Sequence, residues 1–185
     1  MTADSDSQSS QPPHLSFVGS TPVARAEMPE DADWVAYLHE QAFGPGRFAR
    51  AAFRVREQLP IDPDLSMVAE IDGKPVSSIW MTPISLSGQN GYLLGPLATD
   101  PAYQKRGAGK LLVKLGTERA LARQNGDFVL LVGDRSYYVP LGFEPTKLGA
   151  IKFPGPVDPT RILARCRHPE QVSQLCGSMA PFRHA

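Results

Sequence analysis

The stretch LLGPLATDPAYQKRGAGKLL, Leu93 to Leu112, decides how this chain is read. It opens on apolar residues suited to a strand and is interrupted at Gly95-Pro96. It recovers over Leu97, Ala98 and Thr99, then turns at Asp100-Pro101. Proline has no N–H and disfavours continuous pairing in a central strand. A glycine beside it suggests a bulge. A strand that splays from its neighbour at this point leaves backbone groups free for a ligand. The second part, Gln104-Lys105-Arg106-Gly107-Ala108-Gly109-Lys110, runs straight into a helix. The first turn of a helix has N–H groups without internal partners, and the helix dipole adds partial positive charge there. Gly107 and Gly109 let the backbone come close to a guest, and Lys105, Arg106 and Lys110 add full charges. A phosphate or diphosphate is the natural ligand.

Two common phosphate motifs do not fit. The P-loop requires G-x-x-x-x-G-K-[ST]; here Gln104 stands five before Gly109 and Leu111 follows Lys110. The dinucleotide fingerprint requires a third glycine where this chain has Leu112. GTP and NAD are therefore disfavoured. The plain alternative is a glycine-rich helix start carrying solvated Lys and Arg.

Working outward, Gly107–Gln124 has helical spacing, with Ala108, Leu111, Leu112, Leu115 and Ala122 expected on the buried side and Asn125-Gly126 as its C-terminal cap. The run FVLLV, Phe128–Val132, predicts a buried strand parallel to its neighbour across the helix. Asp134 can N-cap a short helix through Val139, and Gly142-Phe143-Glu144 turns into a further strand. Arg161–Arg165 is the last strand expected.

Upstream, Val23–Ala26 reads as a strand. A helix follows over Ala32–Phe43, with Trp34, Val35, Leu38 and Ala42 at helical spacing. Gly44-Pro45-Gly46 ends it, and a second helix is expected from Arg47 to Gln58 with Phe48, Ala52 and Val55 on one face. Ser66–Ile71 and Pro75–Ile84 form a hairpin about Asp72-Gly73. Ser87–Gly91 is expected to be a loop before the strand Tyr92–Thr99. The order is β-α-α-β-β-β-α-β-α-β-β, with no internal repeat. The fold class is α/β of the mixed, α+β kind, a mixed sheet with helices packed on it and not a doubly wound parallel sheet.

The chain has 185 residues, room for one domain of ordinary size. Residues 1–20, rich in Ser, Gln and Asp, are expected to be a disordered tail, and 21–185 a single domain. Hydrophobic residues make up 42% and charged residues 21%, as in a soluble globular protein. Cys166 and Cys176 are too few and too far apart for a disulfide framework or a close C-x-x-C metal site. His14, His39, His168 and His184 do not cluster in sequence, so no metal is expected. The start of the chain lacks the basic and apolar stretches of a signal peptide, and no apolar run reaches bilayer length. A cytoplasmic location with no membrane contact is the expectation.

The pattern Gln-x-x-Gly-x-Gly, preceded by a strand and Asp-Pro, is followed about thirty residues later by Tyr137-Tyr138-x-x-Leu141-Gly142-Phe143. This combination resembles the GCN5-related N-acetyltransferase (GNAT) superfamily over roughly residues 22–165. The wording of LGPLATDPAYQKRGAGKLL and YYVPLGFEP is most similar to small bacterial members of the YhbS type.

The resemblance implies that the central sheet is mostly antiparallel, splayed at its middle and flanked by about four helices. It implies acetyl-CoA as co-substrate and an amine as acceptor. Gln104, Lys105, Arg106, Gly107, Ala108, Gly109 and Lys110 match the segment that holds the pyrophosphate. Leu97, Ala98 and Thr99 match the strand whose backbone pairs with the pantetheine arm. Tyr138 takes the position of the general acid that donates a proton as the CoA thiolate leaves. Tyr137 is read as packing.

The strand Tyr92–Leu97 carries no carboxylate to serve as base, so none is assigned; Glu27, Glu40 and Glu70 are read as ordinary carboxylates. Phe43, Phe53, Trp80 and Tyr92 are candidates for lining an acceptor pocket. Arg161, Arg165 and Arg167 are read as a solvated basic stripe.

The leading expectation is an N-acetyltransferase acting on a small-molecule or peptide amine, with homodimer formation compatible with the resemblance. The alternative is a non-catalytic acetyl-CoA-binding sensor or interaction module, favoured by the missing carboxylate and opposed by Tyr138. A nucleic-acid partner is not expected, because segment 104–123 lacks interleaved stacking aromatics. The net charge of zero hides a segregation. Residues 1–33 hold six acidic side chains against Arg25, and residues 104–123 hold six basic ones against Glu118.

Overall fold

A computed structural model describes residues 20–46 and 51–182 of the chain. The expected tail, apart from Ser20, and the expected start of the second helix at Arg47 and Phe48 lie outside the described residues.

β-Branched and apolar residues concentrate in Met67–Ile71 (β2), Lys74–Leu86 (β3) and Gln89–Thr99 (β4), which pair antiparallel in sequence order. Val23–Ala26 (β1) adds to the outer edge of β2. On the far side β4 pairs parallel with Phe128–Val132 (β5). Ile162–Cys166 (β8) follows antiparallel, and Glu144–Pro145 (β6) closes that edge. The order is β1-β2-β3-β4-β5-β8-β6, mixed and mostly antiparallel as expected.

Three differences from the sequence reading have identifiable physical causes. The segment expected to be a loop at Ser87–Gly91 is a tight hairpin: Ser87 and Gly88 both take positive φ, and β4 is already paired from Gln89. Gly177–Pro181 (β9) is a strand that the sequence reading lacks. It pairs with Ile84–Leu86 of β3 and with the short Ile151–Lys152 (β7). Its sequence, GSMAP, has little strand propensity, so tertiary pairing alone makes it one. Gly126 is not a left-handed cap. A Cβ there would meet the Ala120 carbonyl oxygen at 1.9 Å, so glycine is required by close approach instead.

The helix at the heart of the reading is Ala108–Ala122 (α3). It buries Ala108, Gly109, Leu112, Val113, Gly116, Thr117 and Ala120 on the sheet, while Leu111 and Leu115 are half-buried and Ala122 is exposed. The small residues allow a near approach: a Cβ on Gly116 would already touch the Met67 side chain at 3.4 Å. The C-terminal end of α3 is tied down by Arg167, whose guanidinium donates to Leu121 O at 3.2 Å in the last turn and to the carbonyls of Arg123 and Gly126 just beyond it. The expected basic stripe is therefore not a uniform solvated face. Arg165 likewise donates to Leu141 O at 3.3 Å.

On the other face lie Ala32–Phe43 (α1) and Ala51–Arg56 (α2). α1 buries Val35, Leu38 and His39, whereas Ala42 is exposed. Its start is tied to the sheet by Arg25, which pairs with Asp31 at 2.5 Å and with Glu70 on β2 at 2.6 Å. Asp31 also accepts from the Met28 N–H at 2.8 Å. The Arg25 hydrogen bond, opposed in part by desolvation, holds the Asp31 carboxyl below the usual carboxylate range. A carboxylate lowered in the folded state stabilises fully above its unfolded value of about 4, and the stabilisation is lost as pH falls through the folded value. Asp31→Asn should therefore lower stability by about 2–3 kcal/mol at pH 7, with the deficit shrinking toward zero at strongly acidic pH. Urea unfolding of both chains at stepped pH measures this; a deficit independent of pH would remove Arg25–Asp31 as its source.

Candidate active site

β4 and β5 are paired only at Gly91–Phe128, Tyr92–Val129 and Leu93–Leu130. Beyond that point β4 continues to Thr99 and β5 to Val132 without ladder contact. The departure coincides with Gly95-Pro96, a cis peptide with Gly95 at φ 115°. The β3–β4 register shifts at the same place, between Ile79 and Met81 on β3. The bulge and the splay expected from the sequence are both present.

Two cavities open along the gap. One, of about 760 Å³, is lined by Leu97, Thr99 and Tyr103, by Gln104, Lys105 and Gly107–Lys110, and by Asp134 and Tyr137. Its floor is the turn into α3. Lys105 at φ 63° and Gly107 at φ 90° reverse the chain there, and Gly107 is the N-cap residue. Asp100 secures the approach by accepting from the Ala102 N–H at 2.9 Å. Gly109 has a second reason to be glycine: a Cβ would stand 3.0 Å from the Tyr137 hydroxyl and 3.2 Å from Thr99 Oγ1.

The other cavity, of about 390 Å³, lies where the strands part. Gly95, Pro96 and Leu97 face Val132, Gly133 and Tyr138 across it. Phe43 and Phe53 cover one side, and Asp134, Asp158 and Arg161 form a charged margin. Leu97 and Asp134 line both cavities, so the two meet at that point.

Tyr138 ends the short helix Arg135–Tyr138 (α4) that follows β5. Its ring packs edge-on to Tyr137 at 4.8 Å and to Phe143 at 5.8 Å. It also sits close against Gly133, where a Cβ would collide with Cε2 and Cδ2 of the ring. Burial, with smaller contributions from Tyr137 and Asp134, pushes its phenol well above the usual tyrosine value, against an opposing effect of Arg161. The hydroxyl therefore stays protonated throughout the neutral range. Asp134 begins α4, as expected, but its carboxylate gives no side-chain cap bond; it pairs with Arg161 at 3.0 Å.

Several expected site residues stand apart. Ala98 is buried in the core and its carbonyl accepts from Ser77 Oγ at 2.7 Å, so it does not line the gap. The Arg106 guanidinium lies over the Tyr103 ring at 5.3 Å, outside the cavity lining. Tyr92 is 3% exposed, packs on Phe182, and has its hydroxyl bonded to Arg123, so it belongs to the core and not to the pocket. Trp80 is behind the pocket wall: it meets His39 edge-on at 4.6 Å and donates from Nε1 to Glu27 at 2.8 Å. Burial pushes the Glu27 carboxyl up, against the effect of that hydrogen bond. Glu70 is taken by Arg25.

The sequence reading missed Asp134, Asp158 and Arg161 as wall residues. Asp158 also caps the turn after it, accepting from Thr160 N at 2.9 Å. Its spacing before Pro159 and Thr160 is a turn signal that could have marked it.

These features agree with comparisons to known proteins. The family model "Acetyltransferase (GNAT) family" matches residues 30–143. The uncharacterized N-acetyltransferase YjhQ of Escherichia coli (strain K12) is 32% identical over 119 residues, 62% of this chain and 65% of that relative. The chain thus aligns with just under two thirds of that relative's length. Among solved structures, the GNAT family N-acetyltransferase YhbS from Escherichia coli, in complex with CoA, superposes with a TM-score of 0.68. It is 20% identical, covers 92% of this chain and 94% of its own, and shows likeness of fold. A GNAT family acetyltransferase from Brucella melitensis, in complex with acetyl-CoA, gives a TM-score of 0.59 at 26% identity, over 89% of this chain and 96% of that one. With more than half its length matched by the family model, and the splayed sheet in place, this chain belongs to the acetyltransferase (GNAT) family.

Proposed function

We propose that this chain is an acetyl-CoA-dependent N-acetyltransferase that moves acetyl to a primary amine, with Tyr138 as the acid group at the leaving sulfur. The observation that carries this reading is the meeting of the two cavities at Leu97 and Asp134, beside Tyr138. The residues present fit the co-substrate. The larger cavity offers the first-turn N–H groups of the fifteen-residue α3, with Lys105 and Lys110 alongside, which suits a diphosphate. The gap past Leu97 offers a strand edge released from pairing, which suits an amide-bearing arm.

Bound there, acetyl-CoA supplies a thioester carbonyl as electrophile and a thiolate as leaving group. The protein's part is to orient and to hold protons. Tyr138, its phenol raised above the ordinary value, is neutral and keeps its O–H to donate. A thiol has a pKa of about 8.5, so complete transfer from this phenol to sulfur is uphill. The hydroxyl therefore acts by hydrogen-bonding to the developing negative charge, and the proton released by the amine completes the CoA thiol. Asp134 and Asp158 against Arg161 leave the margin one charge negative, which draws a cationic amine toward the gap. Phe43 and Phe53 cover the approach and exclude water.

The second reading, a binding module without turnover, draws on the same gap and on the absence of a carboxylate from the strand Tyr92–Leu97. Acetyl-CoA binding without thiol release on any member of a broad amine panel would favour it.

Tyr138→Phe should lower turnover at least tenfold while the dissociation constant for acetyl-CoA changes little. Thiol release and calorimetric titration measure the two; unchanged turnover would remove Tyr138 from the mechanism. Gly133→Ala keeps the tyrosine but takes its seat. It should reproduce the loss of turnover with a stability cost of about 1–3 kcal/mol, seen in near-ultraviolet circular dichroism and urea unfolding. Full activity in a folded Gly133→Ala chain would show that the position of the Tyr138 ring is not needed.

A further inference from the structure

Arg56 ends α2 on the far side of the acceptor wall, and its guanidinium is the least satisfied group among the described residues. Nε, Nη1 and Nη2 are all shut off from solvent, and none has a hydrogen-bond partner. Its Cζ lies 5.4 Å from the centre of the Phe53 ring and 5.7 Å from that of Trp80. Among the described residues no carboxylate answers it: Glu27, the acid on Trp80, is bonded to the indole Nε1, and burial is what shifts Arg56. Burial pushes the pKa of Arg56 down to about 9, so the group still carries its charge at neutral pH.

A guanidinium has five N–H donors in a planar fork. Leaving all of them dry costs desolvation that two aromatic faces offset only in part. The fork geometry matches a carboxylate in two-point contact. The phosphates of a bound CoA are not the missing anion, since the cavity at the turn into α3 has no wall from α2. Phe53, by contrast, is shared: one face supports Arg56, and the ring is part of the cavity where the strands part. The margin of that cavity carries Asp134 and Asp158 against Arg161, and Arg56 stands outside its lining, with the Phe53 ring between the guanidinium and the cavity.

We propose that Arg56 is the specificity residue for an acceptor that carries a carboxylate as well as its amine. The amine lies at the Tyr138 gap and the carboxylate reaches the guanidinium past a displaced Phe53 ring. This rests on the acetyl-transfer reading for the position of the amine, but the anion site does not. It would make the preferred substrate class small amino acids or related carboxylated amines, and it would disfavour polyamines.

The test uses the full chain and a graded series of probes, from glycine to 6-aminohexanoate, each paired with its neutral amide. Two readouts are taken: kcat/KM by thiol release with acetyl-CoA, and the shift of thermal unfolding with each probe alone. For the best length, the acid should be preferred over its amide at least tenfold in kcat/KM and should raise the unfolding temperature where the amide does not. Arg56→Met, close in shape but uncharged, should abolish both differences. It should unfold no earlier than the wild type, because it removes an unpaired buried charge. Arg56→Lys should retain a reduced preference. If no amine releases thiol, the acetyl-transfer reading fails, and the thermal shifts still decide the role of Arg56. Equal response to acid and amide in both readouts, or a preference that survives in Arg56→Met, overturns the proposal. So does an Arg56→Met chain that unfolds well below wild type, which would mark Arg56 as structural.

Discussion

The site depends on one failure of hydrogen bonding. β4 and β5 run parallel for three residue pairs and then separate, because the β4 strand is interrupted at Gly95-Pro96. A sheet normally satisfies every internal backbone group. Here a stretch of strand edge on either side of the gap is released in the interior of the molecule, where a ligand can use it. The remaining features serve that gap. α3 starts at its lower end, α4 brings Tyr138 to its upper end, and the paired strands β1 to β3 hold β4 rigid from behind.

Electrostatics follows the same axis. The neutral net charge is a cancellation of local fields. The basic excess of segment 104–123 begins at the turn into α3, whereas Asp158 lies at the other cavity and Asp134 where the two cavities meet. Arginines are treated differently across the molecule. Arg25, Arg123 and Arg161 each find carboxylates, whereas Arg56 lies against the Phe53 and Trp80 rings with no hydrogen-bond partner among the described residues.

Much of this was legible in the sequence where local signals are strong. Asp72-Gly73 turned a hairpin, FVLLV made a buried strand, and Gly95-Pro96 marked both bulge and splay. Most of the misses were decided by contacts that no local pattern encodes. β9 is a strand only because β3 and β7 lie beside it. Gly126 looked like a helix cap but answers to a carbonyl six residues earlier. Tyr92 and Trp80 were chosen as large aromatics in the right region; the pleat turned one into the core and placed the other behind the wall. Arg56 was invisible as a charged helix residue, although its place three after Phe53 puts both on one helix face.

Arg167 bears on the other end of the molecule. By gathering the last carbonyls of α3 it anchors the helix to β8, while Gly109 and Gly116 set its body tightly on the sheet. A strut fixed at its tail and along its flank has little freedom at its tip. On the proposed function, a diphosphate meets N–H groups that the fold has already arranged, so the entropy of ordering them falls to folding and not to binding. The affinity of such a turn would then be in part a property of a guanidinium about 20 Å away, at the opposite end of the helix.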